Sequence, residues 1–243
     1  MRAAPSTPAP TDMSLREHVY GWLRDALSAG RFVPGQKLTF RSIASATNVS
    51  LTPVREAIRR LVAEGAFEMQ PNRSVRVPRM TLTKLLELRD IRIALESLAT
   101  DKAARLMSKR EIAHLQKIAD DIVRARDRGD MPTDRLKIRE FHFALYRSAN
   151  QPTLLAIIER LWLQTGPYLN LLFPDYVGMR HGVSGRARLI RALRTRNVAA
   201  ARREIASDIR DALSYVASLA DEAGNIVPAP TTPGRRRGRV KAS

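Results

Sequence analysis

One sixteen-residue segment, SLTPVREAIRRLVAEG at residues 50–65, restricts the fold of this chain more than any other part of the sequence. Its apolar residues recur at the spacing of a single helix face: Val54, Ile58, Leu61 and Val62. Pro53 is compatible with a helix only in the first turn, so Ser50 or Thr52 is expected to cap it. Gly65 is expected to end it. The segment therefore predicts an amphipathic helix with one buried face.

The residues before this segment predict two further helices. A helical pattern begins at Leu15 and stops at Gly30. A short second helix is expected over residues 41–47, and Asn48 then turns the chain because Asn tolerates the left-handed backbone that such a corner needs. Two helices joined by a tight turn to a third are typical of a helix-turn-helix.

The residues after the third helix predict two short strands. Residues 67–70 and 75–78 alternate in polarity, and the turn-forming sequence Pro71-Asn72-Arg73-Ser74 joins them. Such a pair forms a two-stranded wing. We therefore predict a winged helix-turn-helix domain over residues 14–80.

The outward face of the third helix carries side chains that can bind DNA. The residues expected to point away from the core are Thr52, Glu56, Arg59 and Arg60, with Arg55 at the flank. In a winged helix-turn-helix the N-terminal residues of this helix enter the major groove, where Thr and Arg donate to phosphates or base edges. Arg73 and Arg76 of the wing can reach the backbone or minor groove. The alternative is an ordinary three-helix domain with a solvated charged face.

Composition favours an anionic partner. The 243 residues include 42 Lys and Arg against 24 Asp and Glu, a formal net charge of +18, which places nucleic acid ahead of a membrane surface. The absence of cysteine excludes disulfide scaffolds, thiolate zinc sites and Cys nucleophiles. The sequence contains neither an apolar run near the ~18 residues of a membrane span nor a secretory signal. We therefore expect a cytoplasmic protein without a membrane partner.

Both ends of the chain are expected to be disordered. Residues 1–13 form a leader rich in Pro, Ala and Thr, and residues 227–243 form a Pro/Gly/Arg-rich tail with a charge of +5. The tail is equally compatible with non-specific phosphate contacts and with a solvated end that does little.

Residues 81–226 predict an all-α six-helix bundle. The expected helices are Leu82–Met107, Lys109–Arg128, Asp134–Ala149, Pro152–Leu171, Val183–Arg196 and Val198–Asp221. Short connections between helices are typical of a bundle. The stripe expected to bury the first of these helices consists of Leu85, Leu88, Ile91, Leu95 and Leu98. The predicted fold class is therefore mainly α, a winged helix-turn-helix followed by this bundle.

The first domain resembles a known family. The stretch FVPGQKLTFRSIASATNVSLTPVREAIRRLVAEGAFEMQPNRSVRV is similar to the DNA-binding domain of GntR-type bacterial transcription regulators, above all in VSLTPVREAIRRL and the wing sequence PNR. This resemblance implies that operator DNA is contacted by Arg41, Ser50, Thr52 and Arg55, with Arg73 of the wing nearby. Arg59 joins this set because of its outward position on the third helix.

Two positions depart from that family pattern. Leu51 stands where the family usually has an Arg that contacts a base or phosphate, and Ser74 stands where the wing usually has Gly. Loss of one Arg contact costs about 1–3 kcal/mol of discrimination. These departures bear on the operator sequence and leave the fold prediction unchanged.

The second domain resembles the ligand-binding FCD domain of the FadR subfamily, in its six-helix VanR-like form. The residues that carry the resemblance are LRDIRIALESLATDKAARL, FHFALYRSANQPTL and RARLIRALRTRNVAAARREIASDI. The resemblance implies a homodimer whose helical domains pair. It also implies a bundle interior that binds a small carboxylate metabolite, often through a metal.

The metal ligands of that family are replaced in this chain. Metal-binding members have an Asp four residues before the His of the FH pair and two further His on the last two helices. Here the FH histidine is His142, but the other slots hold Ile138, Arg186 and Asp208. One His, one Asp and a repelling Arg do not make a three- or four-ligand site, so we predict neither a metal nor a cofactor.

The residues in those slots allow two interpretations. Arg186 and Asp208 can form a buried structural ion pair in place of the metal. Alternatively, Arg186 with Arg92 or His142 binds a ligand carboxylate, as the fork of a guanidinium permits. Arg92 is four residues before Glu96, so this pair can also simply stabilise its helix. For His142 alone, a satisfied core histidine is the simpler interpretation.

These observations predict a sequence-specific, dimeric transcription regulator. Its operator affinity is expected to respond to a small carboxylate, and repression is the expected sign because a bound dimer can block polymerase. The first alternative is a ligand-insensitive regulator whose bundle only dimerises, and another is charge-driven nucleoid binding without sequence preference. We predict no enzymatic activity, because the sequence has no paired catalytic carboxylates, Ser/His/Asp arrangement or phosphate-binding Gly loop.

Overall fold

The computed structural model describes residues 12–172 and 183–226, which contain nine α-helices, a three-stranded sheet and one 3-10 helix. The N-terminal elements are α1 (Asp12–Ser28), β1 (Lys37–Thr39), α2 (Phe40–Thr47), α3 (Leu51–Ala63), β2 (Glu68–Gln70) and β3 (Ser74–Arg76). The C-terminal helices are α4 (Leu82–Leu106), α5 (Lys109–Asp127), α6 (Met131–Arg147), α7 (Pro152–Thr165), α8 (Val183–Arg194) and α9 (Val198–Ala217). The predicted mainly-α fold class is confirmed.

The predicted disordered ends are only partly covered by these residues. Because α1 begins at Asp12, the last two residues of the predicted leader belong to the first helix. Residues 1–11 and the predicted basic tail, 227–243, lie outside the described residues. Within residues 12–172 and 183–226, none of the helices has both the length and the apolar character needed to cross a membrane.

The first hydrophobic core holds α3 against α1 and the sheet. Val54, Ile58 and Leu61 of α3 are fully buried, in a cluster that includes Val19 and Leu23 of α1. Between α2 and α3 the chain turns at Asn48, whose φ of 54° is left-handed. Side chains on the other face of α3 therefore remain outside, as the sequence predicted.

The wing has three strands, whereas two were predicted. Strand β3 lies in the centre, antiparallel to both neighbours, and Val75 pairs with Leu38 of β1 and Met69 of β2. The sequence did not reveal β1 because its three residues, Lys-Leu-Thr, are too short to show an alternating pattern. Strand β1 leads directly into α2, where Thr39 forms the N-terminal cap.

The bundle packs α4 to α9 around a second core, and three helix boundaries differ from the prediction by three residues or more. Helix α9 ends at Ala217 rather than Asp221. Asp130 caps α6 through the backbone N–H of Thr133, at 3.1 Å, so this helix begins at Met131 rather than Asp134. Helix α7 ends at Thr165, and residues 166–172 continue as a 3-10 helix. Pro167 lacks the backbone N–H that an α-helix needs there.

The buried stripe predicted for α4 was only partly correct, and its fourth residue, Leu95, is half-buried against the bundle core. Leu85 and Leu88 are buried, but the side chains of Ile91 and Leu98 are 37% and 46% exposed. The inward positions of the middle of α4 are instead polar: Arg92, Glu96, Ser97 and Thr100. Hydrophobic spacing could not reveal this, because Arg92 and Glu96 pair with each other and with side chains of α6 and α7. Thr100 donates to the carbonyl of Glu96 on its own helix.

The end of α7 joins the two cores. Leu163 is buried in the N-terminal core, and Gly166 lies against the backbone of α1. Beyond them, the side-chain amide of Asn170 donates to the carbonyl of Phe32 at 3.0 Å. The Tyr168 hydroxyl likewise donates to a backbone carbonyl of the N-terminal domain at 3.1 Å. The N-terminal domain is therefore docked on the bundle through this segment.

We predict that Gly166→Ala loosens this junction. A Cβ atom at Gly166 would lie 2.3 Å from the carbonyl oxygen of Leu27 and 2.8 Å from the Cα of Ser28, and both are backbone atoms. We expect a loss of about 1–3 kcal/mol in the free energy of unfolding, measured by thermal denaturation. The matched control is Gly21→Ala in α1, where a Cβ meets open space; it should stabilise by about 0.5–1 kcal/mol. An unchanged or raised Tm for Gly166→Ala would contradict the close approach.

Candidate DNA-binding surface and buried polar site

The N-terminal half of α3 forms an exposed surface with the residues that the sequence selected. Ser50 is exposed at the N-cap position, and Thr52, Arg55 and Arg59 are exposed on the helix. Arg59 pairs with Glu56 at 2.9 Å and still has 73% of its side chain exposed. The buried face of α3 fixes these side chains in place, because a helix held by its core cannot rotate about its axis.

Three of the predicted DNA contacts come together in one groove of about 330 Å³. The groove is lined by Thr39, Phe40, Arg41, Leu51, Arg55, Asn72 and Arg73. Arg41 belongs to α2, Arg55 to α3 and Arg73 to the wing. Three separate elements thus place guanidinium groups on one side of the domain, where phosphate oxygens are the natural partners.

The wing tip is held in a left-handed conformation next to α2. Asn72 and Arg73 have φ values of 61° and 51°, and the backbone N–H of Phe40 donates to the carbonyl of Arg73 at 3.1 Å. The Ser74 hydroxyl donates to the carbonyl of Pro71 at 2.8 Å, and Ser74 is buried. The serine that departs from the family pattern therefore closes the turn of the wing.

Arg60 contacts α1 and the C-terminal end of α3 and does not line this groove. Its guanidinium pairs with Glu64 at 3.2 Å and with Glu17 of α1 at 3.3 Å, and it lies over the ring of Tyr20. Burial and the hydrogen bond to Glu64 raise the pKa of Tyr20 to about 12, so the phenol stays protonated and donates to that carboxylate. These contacts tie the exposed side of α3 to α1.

The bundle encloses an ion pair between Arg92 and Glu96. The Nε atom of Arg92 donates to Glu96 at 2.6 Å, and its Nη1 atom donates to the hydroxyl of Thr165 at 3.0 Å. Glu96 also accepts from Tyr146 and, at 3.2 Å, from the indole N–H of Trp162. Burial and Glu96 raise the pKa of Tyr146 well above its usual value. Arg92, predicted to contact a ligand, is thus engaged by partners on α4 and α7.

A second polar group connects α6 and α9. His142 is buried, and its Nδ1 atom lies 2.8 Å from the carbonyl of Ile138, which can only accept. Its Nε2 atom lies 3.1 Å from Asp208, whose side chain is 22% exposed. Burial alone would raise the pKa of Asp208, but the His142 hydrogen bond and the nearby charges, including Arg186, lower it. Both ring nitrogens of His142 are therefore within hydrogen-bond distance of oxygen atoms of the protein.

Arg186 lies in the same electrostatic environment. Its side chain is buried, and its positive charge lowers the pKa of Asp208. Burial raises the pKa of Asp134, and the charge of Arg186 acts on that pKa in the lowering direction. Asp134 itself is fully buried and pairs with Arg126 of α5 at 3.2 Å. His142 and Arg186 are thus buried as the sequence predicted, whereas Asp208 is only half-buried. Asp134 was not among the predicted site residues, because the family pattern places its Asp at position 138, one helical turn later.

The partners of Glu96 were also missed. Only its spacing from Arg92 was visible in the sequence, whereas Tyr146, Trp162 and Thr165 come from distant segments. One signal was present in the sequence. Positions four residues apart lie on the same face of a helix, and on α4 four such positions hold Leu88, Arg92, Glu96 and Thr100. Two charged groups are thus in line with a buried leucine.

These residues do not fit a family-type metal centre. Both ring nitrogens of His142 face acceptors of the protein, and the charge of Arg186 acts on the carboxylate that would have to ligate. Among residues 12–172 and 183–226, no three His, Cys, Asp or Glu side chains are grouped closely enough to hold an ion.

Comparison with known proteins matches both domains. The model of bacterial regulatory proteins of the gntR family matches residues 15–77, and the FCD domain matches residues 87–211. The HTH-type transcriptional regulator McbR of Escherichia coli K12 is 34% identical over 169 residues, which cover 70% of this chain and 76% of that protein. The HTH-type transcriptional repressor GlaR of the same organism is 26% identical over 152 residues, covering 59% of this chain and 67% of that protein.

A solved structure supports the same relationship. The structure of E. coli McbR/YncC has a TM-score of 0.79 and 30% identity to this chain, and the match covers 83% of this chain and 96% of the other. The matched families and relatives are transcription regulators rather than enzymes. The chain is therefore a transcription regulator that belongs to the GntR family and carries a C-terminal FCD domain.

Proposed function

We propose that this regulator represses transcription as a homodimer that binds a palindromic operator in the bacterial cytoplasm. The observation that carries the proposal is the groove in which Arg41, Arg55 and Arg73 converge beside the exposed start of α3. Two such domains would insert their α3 helices into successive major grooves, about 34 Å apart. The naming of the relative GlaR as a repressor supports the sign of control.

We further propose that a small carboxylate binds in the bundle near His142, Arg186 and Asp208. The Asp208 side chain is 22% exposed, so the edge of this group is accessible from outside the protein. An incoming carboxylate would compete with Asp208 for the Nε2 atom of His142 and for the positive charge of Arg186. Arg92 takes part indirectly, because it holds Trp162, whose ring centroid lies 5.2 Å from that of His142.

Helix α7 offers a physical route from this group to DNA. Trp162 contacts His142, and the next residue, Leu163, is buried in the N-terminal core. Gln164 then donates to the carbonyl of Glu64, the residue that caps the C-terminus of α3, at 3.2 Å. A ligand that moves this turn changes operator affinity only if it binds unequally to the DNA-competent and DNA-incompetent arrangements.

A second candidate is a regulator that does not respond to a ligand. It is favoured by the pairing of charges inside the bundle, where Arg92 is matched by Glu96, Arg126 by Asp134 and His142 by Asp208. In this case the polar groups only specify how the helices pack.

The arginines of α3 provide the first test. We expect the double variant Arg55→Ala and Arg59→Ala to lose about 1–3 kcal/mol of operator binding per residue, roughly 5- to 150-fold each, because both contacts to the duplex disappear. The measurement is fluorescence anisotropy with a labelled operator at fixed salt. The matched control is Arg110→Ala, an exposed arginine at the start of α5. Unchanged affinity in the double variant would contradict the proposed interface.

A thermal-shift screen tests the ligand. The probes are acetate, benzoate, succinate and glutarate, and an acid at 100 times its Kd should stabilise the protein by about 2.7 kcal/mol. That acid should also alter operator affinity, and Arg186→Met should abolish both effects. Arg188→Met, an exposed arginine two residues along the same helix, should retain them. A response that survives in Arg186→Met would contradict the proposed site, and the absence of any shift would favour the ligand-insensitive regulator.

A further inference from the structure

The groove that gathers Arg41, Arg55 and Arg73 also contains an apolar side chain. Of its lining residues, all of which the structure describes, Leu51 is the one apolar residue that is not buried, since Phe40 is only 7% exposed. A guanidinium donates to phosphate oxygens, whereas the side chain of a leucine can neither donate nor accept a hydrogen bond. The groove therefore combines three phosphate donors with one apolar contact.

The position of Leu51 is fixed by the core and by its place on α3. Leu51 is the first residue of this helix and is half-buried, and its inner side packs against the same hydrophobic core that buries Val54 and Ile58. It lies four residues before Arg55, so the two side chains project from the same face of the helix. Because both line the groove, the exposed part of Leu51 faces the space in which Arg55 lies.

The residue before Leu51 leaves the start of α3 open to an anion. Ser50 is the N-cap residue, and its side chain makes no capping hydrogen bond. The first N–H groups of an α-helix have no partner within the helix and, together with the helix dipole, favour a phosphate. A phosphate held there, with others held by Arg41 and Arg73, would bring the first turn of α3 against the edges of the bases.

The major groove of DNA offers one apolar group to a side chain in that position. Each base pair presents hydrogen-bond donors and acceptors at this edge, and thymine adds the methyl group on its C5 atom. An apolar side chain gains contact with that methyl group, whereas opposite a purine it would leave the N7 acceptor without a partner. A leucine at this edge therefore selects thymine.

We propose that Leu51 recognises one thymine in each half-site of the operator, through contact between its own methyl groups and the C5 methyl group of the base. The surrounding arginines supply affinity through charge, and Leu51 supplies the preference for a T·A pair. The inference rests on the proposed operator binding and specifies which base pair the start of α3 selects.

Deoxyuridine substitution in the operator tests the proposal with the full chain. The wild-type protein first selects its operator from a pool of random duplexes. Each thymine is then replaced by deoxyuridine, which pairs identically with adenine and lacks only the C5 methyl group. We expect one position in each half-site at which this replacement weakens binding about fourfold, the equivalent of ~0.8 kcal/mol for one buried methyl-sized group. Fluorescence anisotropy at fixed salt gives the dissociation constants.

Variants of the protein assign the effect to Leu51. Leu51→Ala should bind the thymine and deoxyuridine operators equally at that position, because the contact is gone. Leu51→Met keeps an apolar side chain and should retain a preference for thymine. The matched control is Val62→Ala, a half-buried residue of the same helix that packs on the same core outside the groove. This control should retain the full effect of the methyl group.

The outcomes separate this inference from the proposed function. An operator whose binding is insensitive to every deoxyuridine would overturn the role of Leu51 while leaving a sequence-specific regulator intact. A methyl effect that survives in Leu51→Ala would do the same, since Leu51 would then serve only the core. Failure of the wild-type chain to enrich any shared sequence from the pool would overturn both.

Discussion

The last turn of α7 belongs to two hydrophobic cores, and the rest of the molecule depends on that shared turn. Trp162 is packed in the bundle, Leu163 in the DNA-binding domain, and Gly166 lies so close to the backbone of α1 that a side chain has no room. Short polar contacts from Gln164 and Asn170 to backbone carbonyls of the N-terminal domain fix the orientation further. The position of α3 is therefore set by the bundle as well as by its own domain.

The interior of the bundle contains paired charges. Removing one member of such a pair leaves a buried charge without compensation, which typically costs about 3–5 kcal/mol, so these residues constrain one another strongly. The pair of Arg92 and Glu96 positions Trp162, and the imidazole of His142, which is paired with Asp208, lies against the same ring. Any anion that enters this region alters electrostatics next to the turn that holds the DNA-binding domain.

The sequence predicted the features that follow from local physics. The buried face of α3, the turn at Asn48 and the exposed arginines follow from helical spacing and backbone preference. The third strand was not predictable, since three residues carry no periodicity. The exposure of Ile91 and Leu98 was not predictable either, because apolar spacing alone does not show which face of a helix the rest of the chain covers. The partner of Asp208 depends on packing between α6 and α9, which only the structure shows.

If α7 couples the two domains as strongly as these contacts indicate, the domains unfold together. Differential scanning calorimetry of the full chain measures this directly. The account predicts one transition with equal calorimetric and van't Hoff enthalpies, because neither core is complete without α7. Two resolved transitions, with the N-terminal domain melting separately from the bundle, would contradict it.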